Sequence, residues 1–188
     1  MNRQLFPTQL YEGDVEPELL PELAYSIRSL ASDDAAGRRW SDEHRYPGYT
    51  SYASLNDLPK RDPAFSELGK VLTKEARGFA RDLGWDCKPK LDSLWVNLLR
   101  TEGHHSGHIH PHSILSGTLY VEVPAGSGAI RFEDPRLPLM MAAPSRDGTF
   151  VEVQPRPGLL LLWESWLRHE VLPGTGKAER LSISFNFA

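Results

Sequence analysis

The stretch HIHPHSILSGTLY, residues 108–120, decides how this chain is read. Its first half places imidazoles at i, i+2 and i+4. On an extended segment residues two apart point to the same side, so His108 and His110 can converge on one ion, while Pro111 interrupts the alternation before His112. Its second half sets Leu115 and Leu119 against Ser116, Thr118 and Tyr120, the period of a strand with one apolar and one polar face. Of the 7 histidines in the chain, five fall between His104 and His112.

Downstream, His169 follows the apolar run 159–163. Two ligands from one strand and a third from a distant one build a metal site that keeps coordination positions open. Arg180 comes eleven residues after His169, and Ser182 shares its strand face. A guanidinium and a hydroxyl side by side make a seat for a carboxylate. The competing reading is an exposed histidine-rich loop, with Arg180 paired to Glu170 or Glu179 at the surface.

From residue 90 onward the period of two recurs at 93–99, 115–123, 129–132, 150–153, 159–163 and 181–187, between turns such as Pro124-Ala125-Gly126-Ser127-Gly128. In the last strand Leu181, Ile183, Phe185 and Phe187 oppose Arg180, Ser182, Ser184 and Asn186. Such polar faces either meet water or line an interior cavity. Before residue 90 the period is helical. Leu19, Leu20, Leu23, Ile27 and Leu30 form one apolar stripe over 17–30, with Pro17 and Pro21 confined to its start. Phe65, Leu68, Leu72, Ala76, Phe79 and Leu83 form another over 63–83, capped by Asp62 and closed by Gly84. Residues 32–58 read as a loop. The expected fold is mainly β, a sandwich or barrel with the N-terminal helices packed on one outer face.

The length of 188 residues, 40% hydrophobic and 24% charged, predicts a single folded domain over 1–188. Residues 1–89 are its helical support, and 90–188 its barrel core with the metal site. A net charge of −4 argues against a nucleic-acid partner. The single cysteine, Cys87, excludes an internal disulfide and a thiolate metal cage. With no signal-like N-terminus and no apolar span, a cytoplasmic protein without a membrane partner is expected.

The run H-x-H-P-x-S-x-x-S-G-x-x-Y at 108–120 resembles the Fe(II)- and 2-oxoglutarate-dependent dioxygenases, and within them a small oxygenase family carrying that run. Phe132-Glu133-Asp134-Pro135-Arg136, Pro157-Gly158-Leu159 leading into Trp163, His169 and ERLSISFN at 179–186 continue the likeness, and Leu5-Phe6-Pro7-Thr8 and Gly48-Tyr49-Thr50-Ser51-Tyr52 extend it toward the N-terminus. The resemblance implies a double-stranded β-helix (jelly roll, cupin-like barrel) with iron near one open end. By motif position His108, His110 and His169 take the metal places, and Arg180 with Ser182 holds the distal carboxylate of 2-oxoglutarate as cosubstrate. Tyr120 supports the same molecule. The implied reaction couples decarboxylation of 2-oxoglutarate to C–H hydroxylation, with no catalytic residue beyond the metal centre. The wider superfamily has Asp or Glu where His110 stands, so His112 or a carboxylate from Glu102, Glu133 or Asp134 remains an alternative second ligand.

Asn97, on the strand before the cluster, is read either as a group orienting cosubstrate or water or as a satisfied interior amide. Trp95, Trp163 and Trp166 are expected in the core, the last two close enough to His169 to wall a pocket. His104 and His105 read as loop residues. The segment 133–149, with Pro135, Pro138, Pro144, Gly148 and Met140-Met141, is long for a turn and reads either as an active-site lid or as a plain surface excursion. Two rivals stand beside the oxygenase: a cupin-like metal-binding barrel without turnover, and a three-histidine dioxygenase needing no cosubstrate. The primary substrate, small molecule or protein, is not encoded in any recognisable motif, and a homodimer is left open.

Overall fold

The computed structural model describes residues 1–136 and 148–188. Most of the expected lid therefore lies outside the described residues.

The fold is organised by β10 (Arg180–Phe187), which pairs antiparallel with β3 (Leu91–Leu99) on one side and with β5 (Leu115–Glu122) on the other. Beyond β5 lie β8 (Leu159–Glu164) and β1 (Leu10–Asp14), and beyond β3 lies β2 (Gly48–Thr50). The order of this six-stranded sheet is thus β1-β8-β5-β10-β3-β2. A second, four-stranded sheet runs β4 (His105–His108), β9 (His169–Val171), β6 (Ile130–Glu133) and β7 (Phe150–Val153). Both sheets are antiparallel throughout, as in the expected jelly roll.

The two faces of β10 part as its alternation dictates. Leu181, Ile183, Phe185 and Phe187 are fully buried, together with Leu94, Val96, Leu115 and Leu119 of the neighbouring strands. They pack against Leu23 and Ile27 of α1 (Leu20–Asp33) and Phe65, Leu68 and Leu72 of α3 (Pro63–Asp82). Burying such a side chain contributes roughly 1.5–3 kcal/mol, so this layer fixes which face of the sheet the helices cover. The polar face, Arg180, Ser182, Ser184 and Asn186, looks between the two sheets into a cavity instead of into water. No helix among the described residues is long and apolar enough to cross a membrane.

The caps fall where the residues call for them. Pro17 opens a 3₁₀ turn (Pro17–Leu19), and Pro21 sits in the first turn of α1. The Asp62 carboxylate accepts from the Ala64 N–H at 2.7 Å, and Gly84 follows α3 at φ +76°. The stretch 32–58, expected to be a loop, contains α2 (Ala35–Glu43) and β2. No apolar stripe announces α2. Its start is set by Asp34, which accepts from Gly37 N–H at 2.9 Å and is itself held by Tyr49 at 2.9 Å and Ser54 at 2.5 Å.

Gly117 of β5 is a packing requirement of this sheet. A Cβ there would overlap the Phe185 ring and the Leu161 carbonyl, both in the buried layer. Gly117→Ala is expected to destabilise the protein by about 1–3 kcal/mol, the range for overpacking a filled core, read as a lowered urea midpoint at unchanged slope.

Candidate active site

Antiparallel pairing of β4 with β9 sets His108 directly opposite His169, their ring centroids 4.4 Å apart. His110 lies just past the end of β4, its N–H donating to the Ser165 carbonyl at 3.0 Å, and its ring stands 5.1 Å from His108 and 5.3 Å from His169. The ligand nitrogens of the three all lie within 4.8 Å of one another, the one such group of potential metal donors among the described residues. His169 Nδ1 donates to the Leu167 carbonyl at 2.9 Å and His108 Nδ1 to the Ser106 carbonyl at 2.7 Å. A carbonyl can only accept, so each of these rings carries its proton on Nδ1 and offers the lone pair of Nε2. Burial pushes His169 down to about 3 and His110 down to about 4, which keeps both neutral near pH 7, the form that binds a metal.

The alternative second ligands are elsewhere. His112 is exposed, as is Glu102 in its turn at φ +61°. Glu133 pairs with Arg168 at 3.2 Å and Asp134 with Arg136 at 2.7 Å. Trp163 does wall the site, edge-on to His169 at 4.6 Å. Trp166 does not. The turn closed by Leu167 N–H on the Glu164 carbonyl carries it outward, where it is 47% exposed. Trp95 is buried and stands 6.3 Å from His110.

A cavity of about 700 Å³ extends from the histidines between the sheets. Register sets Asn97, Ser182 and Tyr120 in one row across β3, β10 and β5, and all three line it. Arg180 lies beside them, 5% exposed, donating from one terminal nitrogen to the Gly128 carbonyl at 3.0 Å, with its guanidinium 5.6 Å from the Tyr120 ring centre. Its Nε and the Tyr120 hydroxyl are buried without a hydrogen-bond partner, and no carboxylate among the described residues pairs with it. Burial lowers the Arg180 pKa and raises that of Tyr120 to about 12.

Asn97 is satisfied by the protein. Its Oδ1 accepts from Thr50 at 2.9 Å and Tyr46 at 3.2 Å, and its Nδ2 donates to Ser184 at 3.0 Å. That amide orients Tyr46, whose hydroxyl also meets His105 Nε2 at 2.8 Å. His105 is no loop residue. It opposes Val171 while His108 opposes His169, so a bulge between them inserts one extra residue and turns both imidazoles toward the cavity. Simple alternation would have set His105 and His108 on opposite faces, and no sequence pattern announces the bulge.

A jelly roll with three converging imidazoles and, in the same cavity, a buried guanidinium without a carboxylate partner among the described residues matches what is expected of non-haem iron oxygenases that use a keto-acid cosubstrate. Residues 93–186, half of the chain, match the model of the family described as "Putative 2OG-Fe(II) oxygenase", and the protein belongs to that family; Fe(II) and 2-oxoglutarate are its cofactors. No curated protein matches it by sequence. Its fold is similar to that of a Pseudomonas putida prolyl-4-hydroxylase, at 17% identity, a TM-score of 0.68 and coverage of 96% of this chain and 94% of that one. It is also similar to HygX from Streptomyces hygroscopicus with nickel and 2-oxoglutarate bound (13% identity, TM-score 0.63, 96% and 82% covered). A third likeness is to the viral collagen prolyl hydroxylase vCPH from Paramecium Bursaria Chlorella virus-1 in its 2-oxoglutarate complex (11% identity, TM-score 0.62, 95% and 94% covered). At these identities the likeness is one of fold.

The enclosed imidazoles, His169 buried and His105 and His110 half-buried, also set an acid limit. In the folded chain His105 and His169 are held near 3 and His110 near 4, all below the ordinary 6.5, and burial is the leading cause for each. As pH falls through 6.5 the unfolded chain takes up protons that the folded one refuses, so stability is full above that value and declines toward pH 4. Each such histidine costs up to about 1.4 kcal/mol per pH unit in this window. The urea midpoint of the metal-free protein should therefore drop already between pH 7 and about 5.5, above the range where ordinary carboxylates titrate. His105→Asn should flatten the profile, and a pH-independent midpoint in the wild type would contradict the burial of these rings.

Proposed function

We propose that His108, His110 and His169 hold the iron, that Arg180, Ser182 and Tyr120 hold the far carboxylate of 2-oxoglutarate, and that the enzyme hydroxylates a C–H bond of an organic substrate. The observation that carries this reading is the buried guanidinium, without a counter-ion among the described residues, facing the same cavity as the three imidazoles. An uncompensated charge in such a place is costly, and a dicarboxylate anchored at the histidines would bring the missing anion. A metal-binding barrel without turnover would have no use for that seat.

The donor set fits the cofactors. Three neutral nitrogens on one side leave the other side of a metal ion free, and the unpartnered Tyr120 hydroxyl and Arg180 Nε can each donate to a carboxylate. When bound, iron and 2-oxoglutarate supply the oxidation itself: one O₂ and one 2-oxoglutarate convert C–H to C–OH and leave succinate and CO₂. The protein's share is positional. Ser106 and Leu167 carbonyls lock two imidazoles in the tautomer that binds. Trp163 and Phe132, edge to face at 5.2 Å, exclude water behind His169. The Gly128 carbonyl and the Tyr120 ring fix the guanidinium, and Asn97 with Tyr46 backs His105 at the same end. The weakly acidic charge and lone cysteine support a cytoplasmic enzyme acting on something other than nucleic acid.

Anaerobic addition of 2-oxoglutarate to the Fe(II) protein should develop a visible charge-transfer band, and its absence would overturn the reading. Arg180→Met removes every donor while keeping much of the length. It should weaken 2-oxoglutarate binding about a hundredfold, ~3 kcal/mol, the usual cost of breaking a buried charge pair, at unchanged iron occupancy.

The three-histidine assignment has its own test. His110→Ala should lose most bound iron, because removing even a supporting group costs about 10–100-fold in metal affinity, whereas His112→Ala should keep it. Iron stoichiometry after desalting decides between them. Loss in His112→Ala with retention in His110→Ala would reassign the second ligand.

A further inference from the structure

The keto-acid seat uses only one end of the cavity. Arg180 and Asn186 line it from opposite ends of β10, six residues and so roughly 20 Å apart. At the Asn186 end the walls are aromatic. Tyr52 stands edge-on to Trp95, centroids 5.2 Å apart at 67°, and Trp40 stands edge-on to Tyr52 at 6.5 Å and 63°. Trp95 in turn lies 6.3 Å from His110, so the rings lead from the mouth to the histidine group.

One charged residue joins this wall through an irregularity of the sheet. Asn186 opposes Ser93 but Phe187 opposes Leu91, so Asp92 is the extra residue of a bulge between β10 and β3. The bulge lets Leu91 pack against the core while Ser93 faces the cavity, although residues two apart in a regular strand would share a face. Asp92 itself reaches the cavity lining. It is exposed, and no hydrogen bond or ion pair engages its carboxylate among the described residues. Among the described lining residues it is the only carboxylate, as Arg180 is the only Lys or Arg.

We infer that this mouth binds an organic ammonium: the substrate carries a positively charged nitrogen, held by Asp92 and the Trp40–Tyr52–Trp95 wall, with the C–H bond to be oxidised directed toward the histidines. The inference rests on the oxygenase reading above and names its substrate class. The chemistry discriminates among ligands. An anion would meet the Asp92 charge, and a purely apolar molecule would strip water from that carboxylate without replacing it. A cation is drawn both by the carboxylate and by the negative faces of indole and phenol rings.

The test titrates the full chain, loaded anaerobically with Fe(II) and 2-oxoglutarate, and follows tryptophan fluorescence. The probes are choline, its uncharged shape analogue 3,3-dimethyl-1-butanol, and Nα-acetyl-L-lysinamide. Both cations should quench saturably and the alcohol should not. Asp92→Asn and Tyr52→Leu, at exposed positions and checked for an unchanged melting temperature, should each weaken cation binding about fivefold. Tighter binding of the lysinamide would assign the cation to a peptide side chain, and tighter binding of choline to a free ammonium. Equal response to choline and the alcohol, no response to either cation, or indifference to Asp92→Asn would overturn the inference. A chelate band without cation binding would defeat the ammonium site and leave the oxygenase standing. Cation binding without a band would do the reverse.

Discussion

Arg180 enters the interior with one nitrogen on the Gly128 carbonyl and its Nε on nothing, in a cavity whose other lining residues include one carboxylate at the far end of the strand. Holding a permanent charge there requires a rigid frame. The frame is β10, paired on both edges and filled on its other face by Leu181, Ile183, Phe185 and Phe187. The helices add nothing to the cavity's chemistry except Trp40 of α2. Their main task is to bury the apolar side of the sheet whose polar side carries the site. A core that loosened would free the guanidinium to reach solvent, and the seat would lose its affinity before it lost its shape.

Where alternation is unbroken, the sequence is a sufficient guide. The strand 181–187, the pair His108 and His110, and the face shared by Arg180 and Ser182 are all legible from a period of two, and the helices from steps of three and four. What escapes is whatever departs from those periods. His105 and Asp92 each owe their direction to a bulge, and a one-residue slip reverses the face that alternation assigns. The second helix owes its existence to the Asp34 cap and not to an apolar stripe. Strands β1, β2, β4 and β9 are three to five residues long, carry no clear apolar–polar alternation, and are fixed by the partners they meet. Trp166 shows the opposite error: three residues from His169 in sequence, it is turned away by a tight turn.

Two irregularities thus do for the cavity what the regular sheet cannot. The bulge in β4 adds His105 to the guanidinium end, where burial and the neighbouring Arg180 charge keep it neutral at about 3. An imidazolium there would compete with the arginine for one carboxylate. Instead, if the Tyr46 hydroxyl gives its single proton to Asn97, His105 Nε2–H must donate to that hydroxyl, and its other nitrogen stays proton-free. The row Asn97–Tyr46–His105 is then a hydrogen-bonded chain beside two groups with no hydrogen-bond partner among the described residues, Arg180 Nε and Tyr120 Oη. Satisfied groups hold position, and unsatisfied ones wait for a ligand.

The charges at the two ends are connected. In the proposed assignment three neutral imidazoles replace the two imidazoles and one carboxylate usual in the superfamily, so the metal end is one charge more positive. Counted with Arg180, a divalent ion gives +3, and a dianionic keto acid leaves +1. With a carboxylate ligand the same sum would be zero. The neutral donor set therefore strengthens the hold on the dianion and repels a second cation close by. An ammonium can be a substrate here only if its charge stays at the mouth, beside Asp92 and screened by the Trp95 and Tyr52 rings, while an uncharged carbon reaches inward. The aromatic wall between Asp92 and His110 is then a spacer as well as a binding surface, and the distance from charged nitrogen to oxidised carbon becomes a property that the protein selects.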